Sequence, residues 1–306
     1  MMIASSPAGS LPFSVVAIFA TLALLLVATA VAAAGPGSDS PAVYPGYELV
    51  WNDEFDVDGL PNEEDWRFGR EGFIRNNEVQ WYQDDNAVIK DGVLVIEARK
   101  ESRPNPNYIA GSESWKTNRP TIEYTSSLIS TKGKREFLYG RFEIRAKVQA
   151  DDSLWPAIWT LGSARSWPGC GEIDIMEYYR DHILANAAWL KDGPQPWSAR
   201  WDASKTPVGE LPRPENWDER FHVWRMDWDH DFIRIYIDDH LLNEVDLSKT
   251  FNERGDRANP FREPHYILLN LALGGDNADH PDDTDTEFPA HFIVDYVRVY
   301  QAVEGE

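Results

Sequence analysis

The sequence predicts an all-β protein, a two-sheet antiparallel β-sandwich or jelly roll with a concave cleft on one sheet. Three observations support this class. Short runs alternate apolar and polar residues, turn residues separate them at regular intervals, and no segment shows the period of an amphipathic helix. Residues 232–237, for example, alternate cleanly and run into the turn pair Asp238-Asp239. The predicted strands are 48–51, 93–99, 121–130, 140–148, 157–161, 172–178, 183–189, 222–228, 232–237, 241–245, 266–272 and 292–300.

The N-terminus has the pattern of a targeting segment. An apolar run over residues 13–27 is followed by small residues that end at Ala34. We therefore expect a signal peptide over residues 1–34, cleaved after Ala34, and a secreted or periplasmic protein. No lysine or arginine precedes Arg67, so an uncleaved membrane anchor stays open as the alternative. Residues 35–45 are rich in Gly, Pro and Ser, which predicts a linker. We expect residues 46–302 to form one domain. No membrane span is expected beyond residue 40.

The composition indicates which kinds of molecule the protein can bind. The 51 acidic residues outnumber the 29 basic ones, which argues against binding to nucleic acid or anionic membranes and favours a neutral polymer. The 13 tryptophans exceed what a core of this size needs, and flat indole rings are typical of clefts that bind sugars. Cys170 is the single cysteine, so the core must stabilise the fold without an internal disulfide. We expect a monomer.

Residues 172–177 carry three carboxylates interleaved with apolar side chains. In a strand, side chains alternate between faces, so Glu172 and Asp174 share one face while the isoleucines between them enter the core. Strict alternation would send Glu177 to the wrong face. One extra residue near Met176, a β-bulge, would return Glu177 to the face of the other two carboxylates.

The spacing of these carboxylates indicates a mechanism. With a bulge, the Cα atoms of Glu172 and Glu177 should lie about 13 Å apart, and their side chains should reach to within roughly 5 Å of each other. Retaining glycosidases need about 5–5.5 Å between carboxyl groups, whereas inverting enzymes need about 6.5–9.5 Å. Carboxylates this close cannot all ionise easily, so one keeps its proton near neutral pH. A solvated acidic edge or a cation site is the alternative, and the apolar neighbours argue against it.

Motifs spread from Tyr47 to Gln301 support a family assignment. They are WNDEF at 51–55, NNEVQWY at 76–82, KGK at 132–134, YGRFE at 139–143, LWPAIW at 154–159, LNLA at 269–272 and VDYVRVY at 294–300. Together with the strand at 172–177 they resemble glycoside hydrolase family 16, specifically its bulged branch of laminarinase-like β-1,3-glucanases with their agarase and carrageenase relatives. The resemblance implies a concanavalin-like jelly roll and a catalytic domain over residues 46–302.

The resemblance also implies roles for individual residues. Glu172 matches the nucleophile, Glu177 the acid/base, and Asp174 a helper carboxylate that tunes the nucleophile through a hydrogen bond. Substrate-binding positions of the family match Asn76, Trp155, Trp159 and Trp189. No cofactor is implied for catalysis.

Many family members hold a structural cation, and the resemblance places that site at Glu54, the backbone of Gly92, and Asp295. Carboxylate and carbonyl oxygens suit Ca²⁺, a hard cation that prefers oxygen ligands. The resemblance therefore implies a possible structural calcium ion.

One departure from the family pattern affects the substrate. Ala188 occupies the position where laminarinases commonly have a histidine, although the following Trp189 is retained. The leading hypothesis is a secreted, endo-acting, retaining hydrolase of a polysaccharide, with β-1,3-glucan first. The alternatives are a galactan hydrolase like the agarases, porphyranases and carrageenases, a transglycosylase, and a non-catalytic carbohydrate-binding sandwich.

Overall fold

The computed structural model describes residues 41–70, 72 and 75–303. The predicted signal peptide and residues 35–40 of the predicted linker lie outside this range. No helix within it combines the length and the apolar character that crossing a bilayer requires. Tyr44, in the predicted linker, belongs to the folded domain, because its hydroxyl donates a 2.6 Å hydrogen bond to Glu143.

Strands dominate these residues, as the sequence predicts. They are β1 (Tyr47–Asp53), β2 (Arg67–Phe68), β3 (Gln80–Tyr82), β4 (Ala87–Lys90), β5 (Val93–Pro104), β6 (Thr121–Ser126), β7 (Leu128–Ser130), β8 (Gly140–Val148), β9 (Leu154–Gly162), β10 (Glu172–Tyr179), β11 (His182–Leu190), β12 (Ala199–Pro207), β13 (His222–Trp228), β14 (Phe232–Ile237), β15 (His240–Asp246), β16 (His265–Leu273) and β17 (Ala290–Ala302). Short 3-10 turns occupy Asp84–Asn86, Val208–Glu210, Trp217–Glu219, Leu247–Lys249, Pro260–Arg262 and Pro281–Asp283.

The strands form two sheets. The ten-stranded sheet has the order β15-β14-β13-β8-β17-β5-β6-β3, with β1 paired to β17 and β4 to β5. The seven-stranded sheet has the order β12-β11-β10-β9-β16-β7-β2. All pairings are antiparallel except that of β3 with β6. The predicted two-sheet sandwich is therefore confirmed, with one parallel pair that the sequence did not suggest.

A single large core lies between the sheets. Phe142 and Ile144 of β8 and Val297 of β17 belong to the same buried cluster as Ile158 of β9 and Ile173 of β10. Burying each such side chain stabilises the fold by about 1.5–3 kcal/mol before entropy is counted. Because side chains alternate along a strand, this packing directs the neighbours of Ile173 to the opposite face of the seven-stranded sheet. That outward face carries the predicted catalytic residues.

The structure differs from the predicted strands in two ways: one predicted strand is divided, and the strands β2, β3, β4 and β12 are absent from the prediction. The run 121–130 is predicted as one strand but divides at Ser127 into β6 and β7, which join different sheets. Ser126 anchors the crossing, because its hydroxyl donates a 2.6 Å bond to the carbonyl of Leu271. β12 is not predicted, because it is an edge strand with much of one face exposed and therefore lacks an apolar alternation.

Candidate active site

The predicted bulge is present on β10. Asp174 pairs with Asn186 of β11, and Glu177 pairs with Leu184, so three steps along β10 match two along β11. Against β9, Asp174 faces Trp159 while Met176 faces Ile158, which makes Ile175 the extra residue. The bulge lets both isoleucines and Met176 remain in the core. It also places Glu177 on the face of Glu172 and Asp174, as expected.

The side-chain amide of Asn186 joins two of these carboxyl groups. Its Nδ2 lies 3.2 Å from Asp174 Oδ2 and 3.3 Å from Glu177 Oε2. Asn186 is 4% exposed, and its Oδ1 is buried without a hydrogen-bond partner. Asp174 and Glu177 therefore converge on one point of the outward face of the seven-stranded sheet, where Oδ1 of Asn186 can still accept a hydrogen bond.

Two tryptophans donate to the glutamates. The indole Nε1 of Trp155 lies 2.8 Å from Glu177 Oε1, and that of Trp167 lies 2.7 Å from Glu172 Oε2. An N–H donor stabilises the ionised form of a carboxyl group and fixes its orientation. Each glutamate thus has its own donor, on opposite sides of the Asp174–Asn186 pair.

A guanidinium lies within the carboxylate cluster. Arg75 sits 4.5 Å from the ring centroid of Trp159, whose indole nitrogen donates a 2.7 Å bond to Asn270. The positive charge of Arg75 lowers the pKa of Glu172, Asp174 and Glu177, which opposes the effect of their burial. The site therefore combines the ring of Trp159 with the charge of Arg75, which partly neutralises the acidic cluster.

The three carboxyl groups have different proton affinities. Burial, opposed by Trp155 and reinforced by the charges of Glu172 and Glu78, raises the pKa of Glu177 to about 7. Burial and the charges of Glu177 and Glu172 raise the pKa of Asp174 well above its ordinary value. Burial also raises the pKa of Glu172, but Arg75 and the Trp167 bond oppose that rise. Glu177 can therefore carry a proton near neutral pH, while Arg75 and the Trp167 bond favour the ionised form of Glu172.

Comparison with known proteins identifies the family. The profile described as "Glycosyl hydrolases family 16" matches residues 75–290. The chain belongs to glycosyl hydrolase family 16. It is 36% identical to a β-glucanase of Rhodothermus marinus over 88% of this chain and 90% of that protein. The predicted family is confirmed, and the chain is a glycoside hydrolase.

Solved structures agree with this assignment. The laminarinase catalytic domain of Thermotoga maritima is 33% identical, with a TM-score of 0.67, over 84% of this chain and 99% of that one. A structure from work on endo-acting O-glycanases, which prominent members of the human gut microbiota express to initiate mucin breakdown, is 35% identical. Its TM-score is 0.75, over 87% of this chain and 95% of that one. Both structures share the fold of this family 16 enzyme.

The structure corrects one predicted substrate-binding residue. Trp189 of this family 16 enzyme is 5% exposed, belongs to the core between the sheets and packs edge-on against Phe261. Its side chain points away from the carboxylates, because Ala188, the preceding residue, pairs with Glu172 and takes the outward face. Trp155 and Trp159 do lie on the outward face, at 6% and 5% exposure.

Asn76 lies at the edge of the site. It is exposed, adopts a left-handed conformation with φ of 45°, and follows Arg75 directly. Its carbonyl accepts a 2.8 Å bond from Asp276, beside Gly275, where a Cβ would come within 2.6 Å of the Asn76 oxygen. Only glycine fits there, so this contact fixes the loop that carries Arg75. Glu78 of the same loop is a further buried carboxylate, bonded at 2.7 Å to Gln80.

The residues predicted to bind calcium are not arranged to bind a cation in this structure. Both carboxylate oxygens of Glu54 accept hydrogen bonds from Arg298, at 2.9 and 2.7 Å, and Asp295 is ion-paired with Arg145. Gly92 lies in the β4–β5 hairpin with φ of 78°. A divalent cation would have to displace or stand beside two guanidinium groups, which repel it. Among the described residues, no three His, Cys, Asp or Glu side chains are grouped to hold a metal ion.

Sequence reasoning missed Arg75, Asn186 and Trp167. A signal for Asn186 exists, because Arg180 and Asp181 form a two-residue turn with positive φ, typical of a tight hairpin. Counting back from this turn and allowing for the bulge places Asn186 opposite Asp174. Arg75 and Trp167 lie in loops, whose paths the strand pattern does not determine.

Proposed function

We propose that this family 16 enzyme is an endo-acting β-1,3-glucan hydrolase that works by a retaining double displacement. The observation that carries the proposal is the bulge on β10, which puts Glu172 and Glu177 on one face, each with its own indole donor. A pair of carboxyl groups of which one is ionised and one protonated is what this mechanism requires.

In the first step, the carboxylate of Glu172 attacks the anomeric carbon of the sugar. The bond from that carbon to the bridging oxygen breaks, and the proton of Glu177 passes to the departing oxygen. In the second step, Glu177 takes a proton from water, whose oxygen attacks the same carbon and releases Glu172. Burial and the neighbouring carboxylates raise the pKa of Asp174, which favours its protonated form, and that form can donate a hydrogen bond that stabilises the charge of Glu172 when the ester breaks.

β-1,3-Glucan is the first substrate because the relatives with this fold include a β-glucanase and a laminarinase. A galactan-type substrate is the second candidate. It is favoured by Ala188, which departs from the laminarinase pattern directly beside Glu172, and by the similarity to the O-glycanase structure. A panel of laminarin, lichenan, agarose, porphyran, carrageenan and mucin O-glycans separates the two, since only the correct polymer should release reducing ends.

Substitution tests the roles of the two glutamates. Glu177→Gln should lower kcat by about 10²–10⁴-fold, the usual contribution of general acid–base catalysis, and Glu172→Gln should abolish turnover. Glu48→Gln, an exposed glutamate on the ten-stranded sheet, is the matched control and should leave kcat unchanged. Full activity of either active-site variant would exclude the assignment. Proton NMR of the first products should show β-anomers, and initial α-anomers would refute retention.

Export belongs to the same proposal. It is supported by the apolar segment at residues 13–27 and the small residues before Gly35. N-terminal sequencing of the protein recovered from the medium or periplasm should begin at Gly35. Recovery in the membrane fraction with an intact N-terminus would support an anchor instead.

A further inference from the structure

The outward face of the seven-stranded sheet extends beyond the nucleophile position toward the edge strand β12. Glu172 pairs with Ala188 of β11, and Ala188 pairs with Trp201 of β12. Directly paired residues of antiparallel strands share a face, so the three side chains form one row. At the usual strand spacing, Trp201 is about 10 Å from Glu172. At this distance Trp201 can contact a neighbouring sugar of the polymer but not the sugar that Glu172 attacks.

The indole of Trp201 is exposed to solvent and is not part of the core. Its relative exposure is 46%, and among residues 41–70, 72 and 75–303 no ring or cation contact to it is found. The next residue, Asp202, turns the other way and accepts a 3.1 Å bond from Asn243 of β15. That bond fixes the face of β12, so the indole of Trp201 is held on the active-site side.

Two more exposed indoles lie at the same end of the sheet. Trp197 is 61% exposed in the loop between β11 and β12, and Trp167 is 40% exposed and bonded to Glu172. These are the described tryptophans with the greatest exposure. Exposed aromatic side chains grouped beside a catalytic cleft mark a binding surface, and flat rings suit the apolar faces of pyranoses.

The residue between Glu172 and Trp201 is Ala188. Its methyl group is fully buried and lies in the row between the carboxylate and the indole. The strand pairing thus puts Trp201 in line with Glu172, where the next part of a bound polymer would lie.

We propose that Trp201 is the platform of an accessory sugar-binding subsite, which stacks against a neutral pyranose of the polymeric substrate on the β12 side of Glu172. The inference rests on the proposed function, since the occupant is the chain that Glu172 and Glu177 cleave. The subsite makes the enzyme prefer long oligosaccharides over short ones.

The test compares Trp201→Ala with the parent on β-1,3-gluco-oligosaccharides of increasing length. Calorimetric binding is measured in the Glu177→Gln background, and kcat/KM in the active enzyme. Trp201→Ala should weaken binding of the long oligosaccharides about five- to tenfold, the value of one aromatic stack, and leave kcat/KM on the shortest cleaved oligosaccharide unchanged. Trp201→Phe should restore most of the loss. Leu241→Ala, which removes a 45% exposed apolar side chain from β15, is the matched control.

Each other outcome decides a different point. Equal binding by parent and Trp201→Ala at every length would overturn the subsite. An equal loss for long and short oligosaccharides would also overturn it, because Trp201 would then act at the cleavage point. If β-1,3-glucan does not bind but a galactan does, the glucan proposal fails and the same length series with galactan oligosaccharides tests the subsite. A change in oligomeric state on gel filtration with unchanged sugar binding would assign the surface to contact between copies, against the proposal.

Discussion

The indole nitrogen of Trp155 lies 2.8 Å from Glu177 and donates a hydrogen bond to its carboxylate. This bond opposes the effect of burial on the pKa of Glu177, and the resulting pKa is about 7. Trp155→Phe keeps the ring and removes the donor, so the pKa of Glu177 should rise further. Because a general acid must be protonated, the alkaline limb of the kcat/KM profile should move to higher pH. A profile that does not move, or moves to lower pH, would contradict this relationship.

Arg75 should act on both limbs of the same profile. Its charge lowers the pKa of Glu172 and of Glu177, so Arg75→Met should raise both values. The nucleophile must be ionised and the acid protonated, so both limbs should shift to higher pH and activity should fall most on the acidic side. Arg75→Lys retains the charge and should shift the limbs less. Loss of activity without a shift of either limb would show that Arg75 acts through substrate contact alone.

Trp189 and Trp201 should differ in what they contribute. Trp189 is part of the core, so Trp189→Ala should lower the free energy of unfolding by about 3–5 kcal/mol. Trp201 is exposed, so Trp201→Ala should change it by less than about 0.5 kcal/mol. Urea denaturation measures both. Equal stability of Trp189→Ala and the parent would refute the core placement.

The ion pairs at the predicted calcium site should make stability independent of the metal. A chelator should leave the Tm unchanged, because Arg298 and Arg145 already neutralise Glu54 and Asp295. Arg298→Met should destabilise the protein by roughly 3 kcal/mol, since it removes the charge that neutralises Glu54 and leaves Asn52 as a neutral donor to that carboxylate. Added calcium should then recover part of the loss in the variant but not in the parent. A lower Tm of the parent in chelator would show that a cation does bind.

Several features were predictable because they depend on local periodicity. The strand at 172–178 alternates so clearly that its core face, its carboxylate face and the need for a bulge all follow from side-chain direction. β12 was not predictable in this way, since an edge strand with an exposed face carries no apolar alternation. The family motifs pointed to Trp155 and Trp159, but a motif does not state which face of a strand each residue takes, and Trp189 was therefore placed wrongly.

The sequence by itself determined the class of the fold, the family and the strand that bears Glu172, Asp174 and Glu177. These follow from the order of residues along the chain. Only the tertiary structure decided that Asn186 bridges two of the carboxyl groups, that Arg75 stands over Trp159, that arginines occupy the predicted cation site, and that Trp201 lines up with Glu172. Each of these relationships joins segments that are distant in sequence or involves a residue in a loop. Packing between segments sets the strand register, the loop path and the ion pairing, and the pattern within a single segment does not determine them.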